Sequence, residues 1–189
     1  AVLWWLAAIA LVLAYPASSR AWQALPVRLV IGLLILLPAW QGLLLLKHWP
    51  QGNSLILAVM LLVWTADVGA YFSGRRFGRR KLAVQVSPGK SWEGLYGGLA
   101  GSLLLTLLVG LYRDWDARDL MMALLGAALV VLISVVGDLT ESMFKRQSGI
   151  KDSSSLLPGH GGVLDRIDSL TAAVPMFAVL LWLHGWGSL

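Results

Sequence analysis

The sequence predicts an all-α, polytopic bundle of membrane helices, and three observations carry that prediction. Of 189 residues, 58% are apolar and only 13% are charged, whereas a soluble domain carries about 25% charged residues. Mean hydropathy is +0.73, and the apolar residues gather into runs near the roughly 20 residues that a spanning helix needs. The 15 Lys and Arg fall unevenly between those runs. A chain this short has much surface to keep wet, so a water-soluble globule is excluded, as is a disordered segment. The absence of cysteine excludes a disulfide-built secreted domain, thiol catalysis, Cys-ligated zinc and iron–sulfur clusters.

About six membrane segments are expected: Ala1–Tyr15, Leu25–Leu46, Ser54–Ser73, Gly94–Tyr112, Asp119–Gly137 and Ser169–Trp186. The first is short and begins inside its own apolar run. It has neither the basic start nor the small-residue cleavage site of a signal peptide. It reads as the remainder of a helix, in a C-terminal fragment whose preceding helices are missing. No fixed-period repeat or low-complexity linker interrupts the chain, so residues 1–189 are taken as one integral-membrane domain.

Orientation follows from the cations. If the loops after the first, third and fifth segments share a side, that side holds Arg20, Arg28, Arg75, Arg76, Arg79, Arg80, Lys81, Lys90, Lys145, Arg146, Lys151 and Arg166. The other side holds Lys47, Arg113 and Arg118. Such asymmetry marks the cytoplasmic face, so the polar loops 74–93 and 138–168 are expected there. The net charge of +5 taken alone would allow a nucleic-acid partner; its placement in a membrane chain does not. Trp4, Trp5, Trp22, Trp40, Trp49, Trp115, Trp182 and Trp186 sit mostly near segment ends, as an interfacial belt would. His48 and His184 read as interfacial too, and Asp114, Asp116 and Asp119 as a solvated turn. The pairs Gly94–Gly98 and Gly97–Gly101 let helix backbones approach closely, within one protomer rather than at a dimer seam.

The chemistry gathers at the cytoplasmic loops. Asp67 lies within the third run, where a lone carboxylate costs about 2.5–3.5 kcal/mol to insert at a helix centre. It reads as a site residue or, alternatively, as one half of a structural ion pair. Arg75, Arg76, Arg79, Arg80 and Lys81 suit anionic headgroups. Gly89-Lys90-Ser91 resembles the end of a phosphate loop, but Val84 stands where the leading glycine belongs. What survives is a Lys and a hydroxyl ahead of a helix N-terminus, where backbone N–H groups favour phosphate.

Asp138, Glu141 and Ser142 recur at i, i+3 and i+4 and so share a face. A loop with Lys145, Arg146, Lys151 and Asp152 follows, then Pro158-Gly159-His160-Gly161-Gly162. Asp165-Arg166-Ile167-Asp168 opens the last segment. Taken singly, Asp165 reads as a helix cap and Asp168 as a partner of the helix dipole. Together, two acidic clusters across a basic, glycine-rich loop suit Mg²⁺ holding a polyphosphate, with carboxylates and phosphates as ligands and Lys and Arg neutralising the remainder. His160 is either a base or a loop tie.

The run from Ser142 to Asp168, with Lys145, Arg146, Lys151, Asp152, Pro158, His160, Gly161, Gly162, Asp165 and Arg166 at its fixed positions, resembles the signature of the phosphatidate cytidylyltransferases. The Asp67-Val-Gly-Ala-Tyr71 stretch and Ser87-Pro-Gly-Lys90-Ser91-Trp-Glu-Gly94 are similar to other segments of that family, so the likeness extends over about 60–189. Ser91 stands where Thr is commoner. The resemblance implies transfer of CMP from CTP to phosphatidic acid, giving CDP-diacylglycerol and pyrophosphate for phospholipid synthesis. It further implies Mg²⁺, a monovalent cation (K⁺) beside it, a homodimer, and a bacterial inner-membrane location with the active site facing the cytoplasm. By family position, Asp138, Asp165 and Asp168 would hold cations; Lys151 would join them in catalysis. Lys90, Ser91, Ser142, Lys145, Arg146, His160 and Arg166 would bind phosphates, with Asp67, Glu141 and Asp152 nearby.

Three other readings compete. A cation-coupled transporter would use Asp67 and the glycine-interrupted segments, but most of the charged residues lie at one face. A CDP-alcohol phosphotransferase would need an Asp-Gly-x-x-Ala-Arg run, which is absent. A structural lipid-binding bundle gives no reason for the paired aspartates.

Overall fold

A computed structural model describes residues 2–159 and 161–184. Its elements run α1 (Val2–Leu13), a 3-10 turn (Ala17–Trp22), α2 (Leu25–His48), α3 (Gly52–Phe77), β1 (Lys81–Ala83), β2 (Ser87–Ser91), α4 (Trp92–Tyr112), α5 (Ala117–Gln147) and α6 (Leu164–Leu183). The five from α2 to α6 are long and apolar enough to cross a membrane, whereas α1 is shorter. The polytopic helical bundle is therefore present, with five full-length spans where about six segments were expected.

Two details extend that picture. The helices overrun the apolar runs: α3 continues to Phe77, α4 starts at Trp92, α5 continues to Gln147 and α6 starts at Leu164. Hydropathy marks where a helix meets lipid, but the backbone hydrogen bonds continue past that point. The 74–93 loop also carries a small two-stranded antiparallel hairpin, with Lys81 opposite Ser91 and Ala83 opposite Ser87.

Helix starts follow capping chemistry. The Ser91 hydroxyl accepts from the Gly94 N–H at 3.1 Å, and Asp116 caps α5 by accepting from the Asp119 N–H at 2.8 Å. Each satisfies one of the orphan donors at a helix start. Lys145 and Arg146 lie in the last turn of α5, where they favour the negative end of the helix.

Packing is tightest between α3 and α4, and glycine makes it so. A Cβ at Gly98 would stand 2.7 Å from the Ala66 carbonyl oxygen, and one at Gly69 2.7 Å from that of Gly97. Buried Ser102 donates across the same seam to the Leu62 carbonyl at 3.0 Å. The paired glycines thus pack helices within one protomer, as expected. α2 crosses α6 closely at Gly42 and Pro175. A core of Leu46, Val59, Val63, Val130, Ala173 and Leu181 fills the bundle.

A second core lies under the hairpin, where Trp22, Ile31, Val86, Leu139 and Met143 come together. Trp5 and Trp22 are 2% and 1% exposed, so these two belong to the interior rather than to an interfacial belt. Trp40 and Trp182 are exposed, in keeping with a belt. Trp186 lies outside the described residues. At the opposite end, Asp119 meets His184 at 3.3 Å, so the acidic turn there is partly paired.

Candidate active site

The hairpin, the 3-10 turn and the loop between α5 and α6 gather at one end of the bundle. The last three turns of α5 supply Asp138, Glu141, Ser142, Lys145 and Arg146, and the first turns of α6 supply Asp165, Arg166 and Asp168. Gly137 brings the two helices together, since a Cβ there would stand 2.8 Å from the Asp168 carbonyl oxygen and 3.0 Å from the Ala172 Cβ. Sequence reasoning passed over this residue. Its signal was a glycine directly preceding an intramembrane aspartate.

Each predicted carboxylate has a distinct surrounding. Lys90, reaching from β2, forms an ion pair with Asp138 Oδ2, and Ser142 Oγ donates to Asp138 Oδ1 at 3.2 Å. Asp165 accepts four hydrogen bonds: from the Gly162 N–H at 2.7 Å, the Ser153 N–H and hydroxyl at 2.9 Å each, and Lys145 Nζ at 2.6 Å. It thereby ties both ends of the 153–162 loop to the start of α6, neither as a simple N-cap nor as a bare ligand. Lys145 also donates to Glu141 Oε2 at 2.9 Å. Asp168 lies against Glu141 and within electrostatic reach of Asp138.

The remaining residues are less engaged with that centre. Arg146 Nε donates to the Val86 carbonyl at 3.3 Å, anchoring the hairpin. Lys151, Asp152 and Arg166 are exposed. Ser91 is 5% exposed, and its hydroxyl serves the α4 cap. His160 lies outside the described residues. Ser153, missed in the sequence reading, sits among three consecutive serines in which nothing marks it out.

Two cavities flank this turn of α5. One, of 720 Å³, runs between the N-terminal elements and α5–α6; its walls include Ile31, Ile35, Leu36 and Phe144, and its polar end Glu141, Lys145 and Asp168. The other, of 340 Å³, lies across α5 and is lined by Asp67, Lys90, Ser91 and Asp138 among small and apolar residues. Gly137 and Glu141 line the first and Asp138 the second, so this turn of α5 borders both.

The donor set suits a hard divalent cation, which prefers carboxylate oxygens. Glu141 Oε1 is buried with no hydrogen-bond donor and lies against another carboxylate, an arrangement that calls for positive charge. Among the described residues, however, no three His, Asp or Glu side chains are already drawn together around a metal position. Lysine ammonium groups stand at Asp138 and Asp165 instead.

Fold and site together define an integral membrane protein with an acidic and basic centre at one end of its bundle, beside an apolar groove. The chain belongs to the cytidylyltransferase family, whose model matches residues 1–184. It is 71% identical over 188 residues to a phosphatidate cytidylyltransferase of Pseudomonas aeruginosa, covering 100% of this chain and 69% of that protein. A phosphatidate cytidylyltransferase of Haemophilus influenzae is 52% identical, covering 94% of this chain and 65% of its own length. One of Synechocystis is 44% identical, over 71% and 46%. The chain therefore spans about half to two thirds of the length of these relatives. A solved structure of an intramembrane enzyme for archaeal membrane lipids biosynthesis aligns at 22% identity and a TM-score of 0.46, over 70% of this chain and 92% of that one. None of these relatives supports the transporter alternative.

Proposed function

We propose that the protein transfers CMP from CTP to phosphatidic acid, giving CDP-diacylglycerol and pyrophosphate. The observation that carries this reading is the α5 turn whose acidic residues wall two cavities of different character. The 720 Å³ groove offers a lipid apolar walls with a charged end at Glu141, Lys145 and Asp168. The 340 Å³ cavity offers a polyphosphate Lys90 beside Asp138. The family relationship supports the same assignment.

The reaction asks the chain mainly to position two anions and to neutralise charge. A lipid phosphate oxygen attacks the α-phosphorus of CTP; that P–O bond forms as the bond to the bridging oxygen breaks, and pyrophosphate leaves in line. Lys90 binds the nucleotide phosphates and Lys145 the lipid phosphate, the two meeting past the 138–141 turn that borders both cavities, while the exposed Lys151 and Arg166 add positive charge at the same end of the bundle. Asp138 and Asp168, with the orphaned oxygen of Glu141, would hold Mg²⁺, which when bound would shield the triphosphate charge with K⁺ beside it, while Asp165 orders the neighbouring loop. The cytoplasmic face of a bacterial inner membrane and a homodimer belong to the same proposal.

Membranes bearing the full-length protein, incubated with labelled CTP and phosphatidic acid, should form labelled CDP-lipid only when Mg²⁺ is present. No CDP-lipid under those conditions would overturn the reading.

A further inference from the structure

Lys90, a candidate phosphate-binding residue, forms an ion pair with Asp138, a candidate cation ligand. We infer that Lys90 is an internal placeholder on Asp138 Oδ2, which a divalent cation must displace and which is thereby released toward the nucleotide phosphates. The inference rests on the proposed function, because it takes Asp138 as a cation ligand.

Three observations carry it. Lys90 and Asp138 form an ion pair with side chains 26% and 25% exposed, so water and ions reach the pair from the cavity. Asp138 Oδ1 is already engaged by Ser142, which leaves Oδ2 as the oxygen to contest. A divalent cation on that oxygen and the ammonium beside it would compete, since like charges at about 4 Å repel by roughly 4 kcal/mol near a protein surface. Asp67 lines the same cavity from α3, a second carboxylate to which the ammonium can turn. Arrival of the cation and delivery of an ammonium to the phosphates then become one event, and either without the other leaves charge unbalanced.

The test uses the full chain in lipid nanodiscs, with Mn²⁺ as the probe read by electron paramagnetic resonance. Wild type should bind Mn²⁺, Asp138→Asn should lose the site, and Lys90→Met should bind Mn²⁺ several-fold more tightly without CTP although turnover falls. Lys90→Arg, which keeps the charge, should not gain affinity. In wild type, reductive methylation of Lys90 followed by mass spectrometry should quicken several-fold on saturation with Mn²⁺ and slow again when CTP is added. An unchanged methylation rate with Mn²⁺ demonstrably bound, or unchanged Mn²⁺ affinity in folded Lys90→Met, overturns the placeholder and leaves the proposed reaction standing. No Mn²⁺ binding at Asp138 in any variant overturns the cation assignment itself.

Discussion

Lys145 Nζ lies 2.6 Å from Asp165 Oδ1, joining the last turn of α5 to the first turn of α6. The two side chains are only 15% and 5% exposed. Their shared loop closes over them through Ser153 and Gly162. Removing one partner of a buried pair costs about 3–5 kcal/mol, because the other charge is left uncompensated. Asp165→Ala should therefore loosen the 148–163 loop, seen as faster proteolysis within it and a lower melting temperature in detergent. Undiminished protease resistance would show that the loop is held by something else.

Asp138→Asn should abolish Mg²⁺-dependent CTP incorporation in the full-length protein and leave membrane insertion unchanged. Retained turnover would remove Asp138 from the cation site. Lys151 is exposed on the loop, so Lys151→Ala should act through charge stabilisation rather than folding. A several-fold to hundredfold fall in rate is expected, on the order of other losses of transition-state stabilisation, with an unaltered melting temperature.

Gly137→Ala should separate the site from the fold. The added methyl would press on the Asp168 carbonyl and on Ala172, and overpacking costs roughly 1–3 kcal/mol. Because those contacts set the spacing of Asp138 and Asp168, kcat should drop at least tenfold, about 1.4 kcal/mol of barrier, in protein that still inserts. Normal kcat would mean that α5 and α6 tolerate the shift.

Gly98→Ala and Gly89→Ala form a contrasting pair. Gly98 abuts the Ala66 carbonyl, whereas Gly89 faces open space. The first should destabilise the α3–α4 seam by about 1–3 kcal/mol, and the second should be nearly neutral to stability. Equal effects in a thermal shift assay would contradict the packing described here.

Much of this arrangement could be read from residue order because two of its rules are local. Asp138, Glu141 and Ser142 share a face by helical spacing, and apolar runs declare membrane helices whatever their partners. The hairpin escaped because β1 and β2 have three and five residues and β2 itself contains Pro88 and Gly89, which depress a strand pattern. Trp5 and Trp22 were misplaced because an aromatic near a segment end looks alike whether it faces lipid or core. The Lys90–Asp138 pair joins distant stretches of chain, and no spacing rule connects them. Asp165 was read as a cap or a ligand because its partners Ser153 and Gly162 arrive only when the loop folds back.

The length of α5 has a kinetic consequence. Its 31 residues extend about 46 Å at 1.5 Å per residue, against a hydrocarbon layer of about 30 Å. An upright α5 that starts at one edge of that layer brings its last turns to headgroup depth at the other, where a lipid phosphate resides. The acyl chains need never be pulled into water for the phosphate to meet the nucleotide. Turnover should then follow the mole fraction of phosphatidic acid within the bilayer rather than its amount per volume of solution, so that diluting it with inert lipid slows the enzyme at constant bulk concentration.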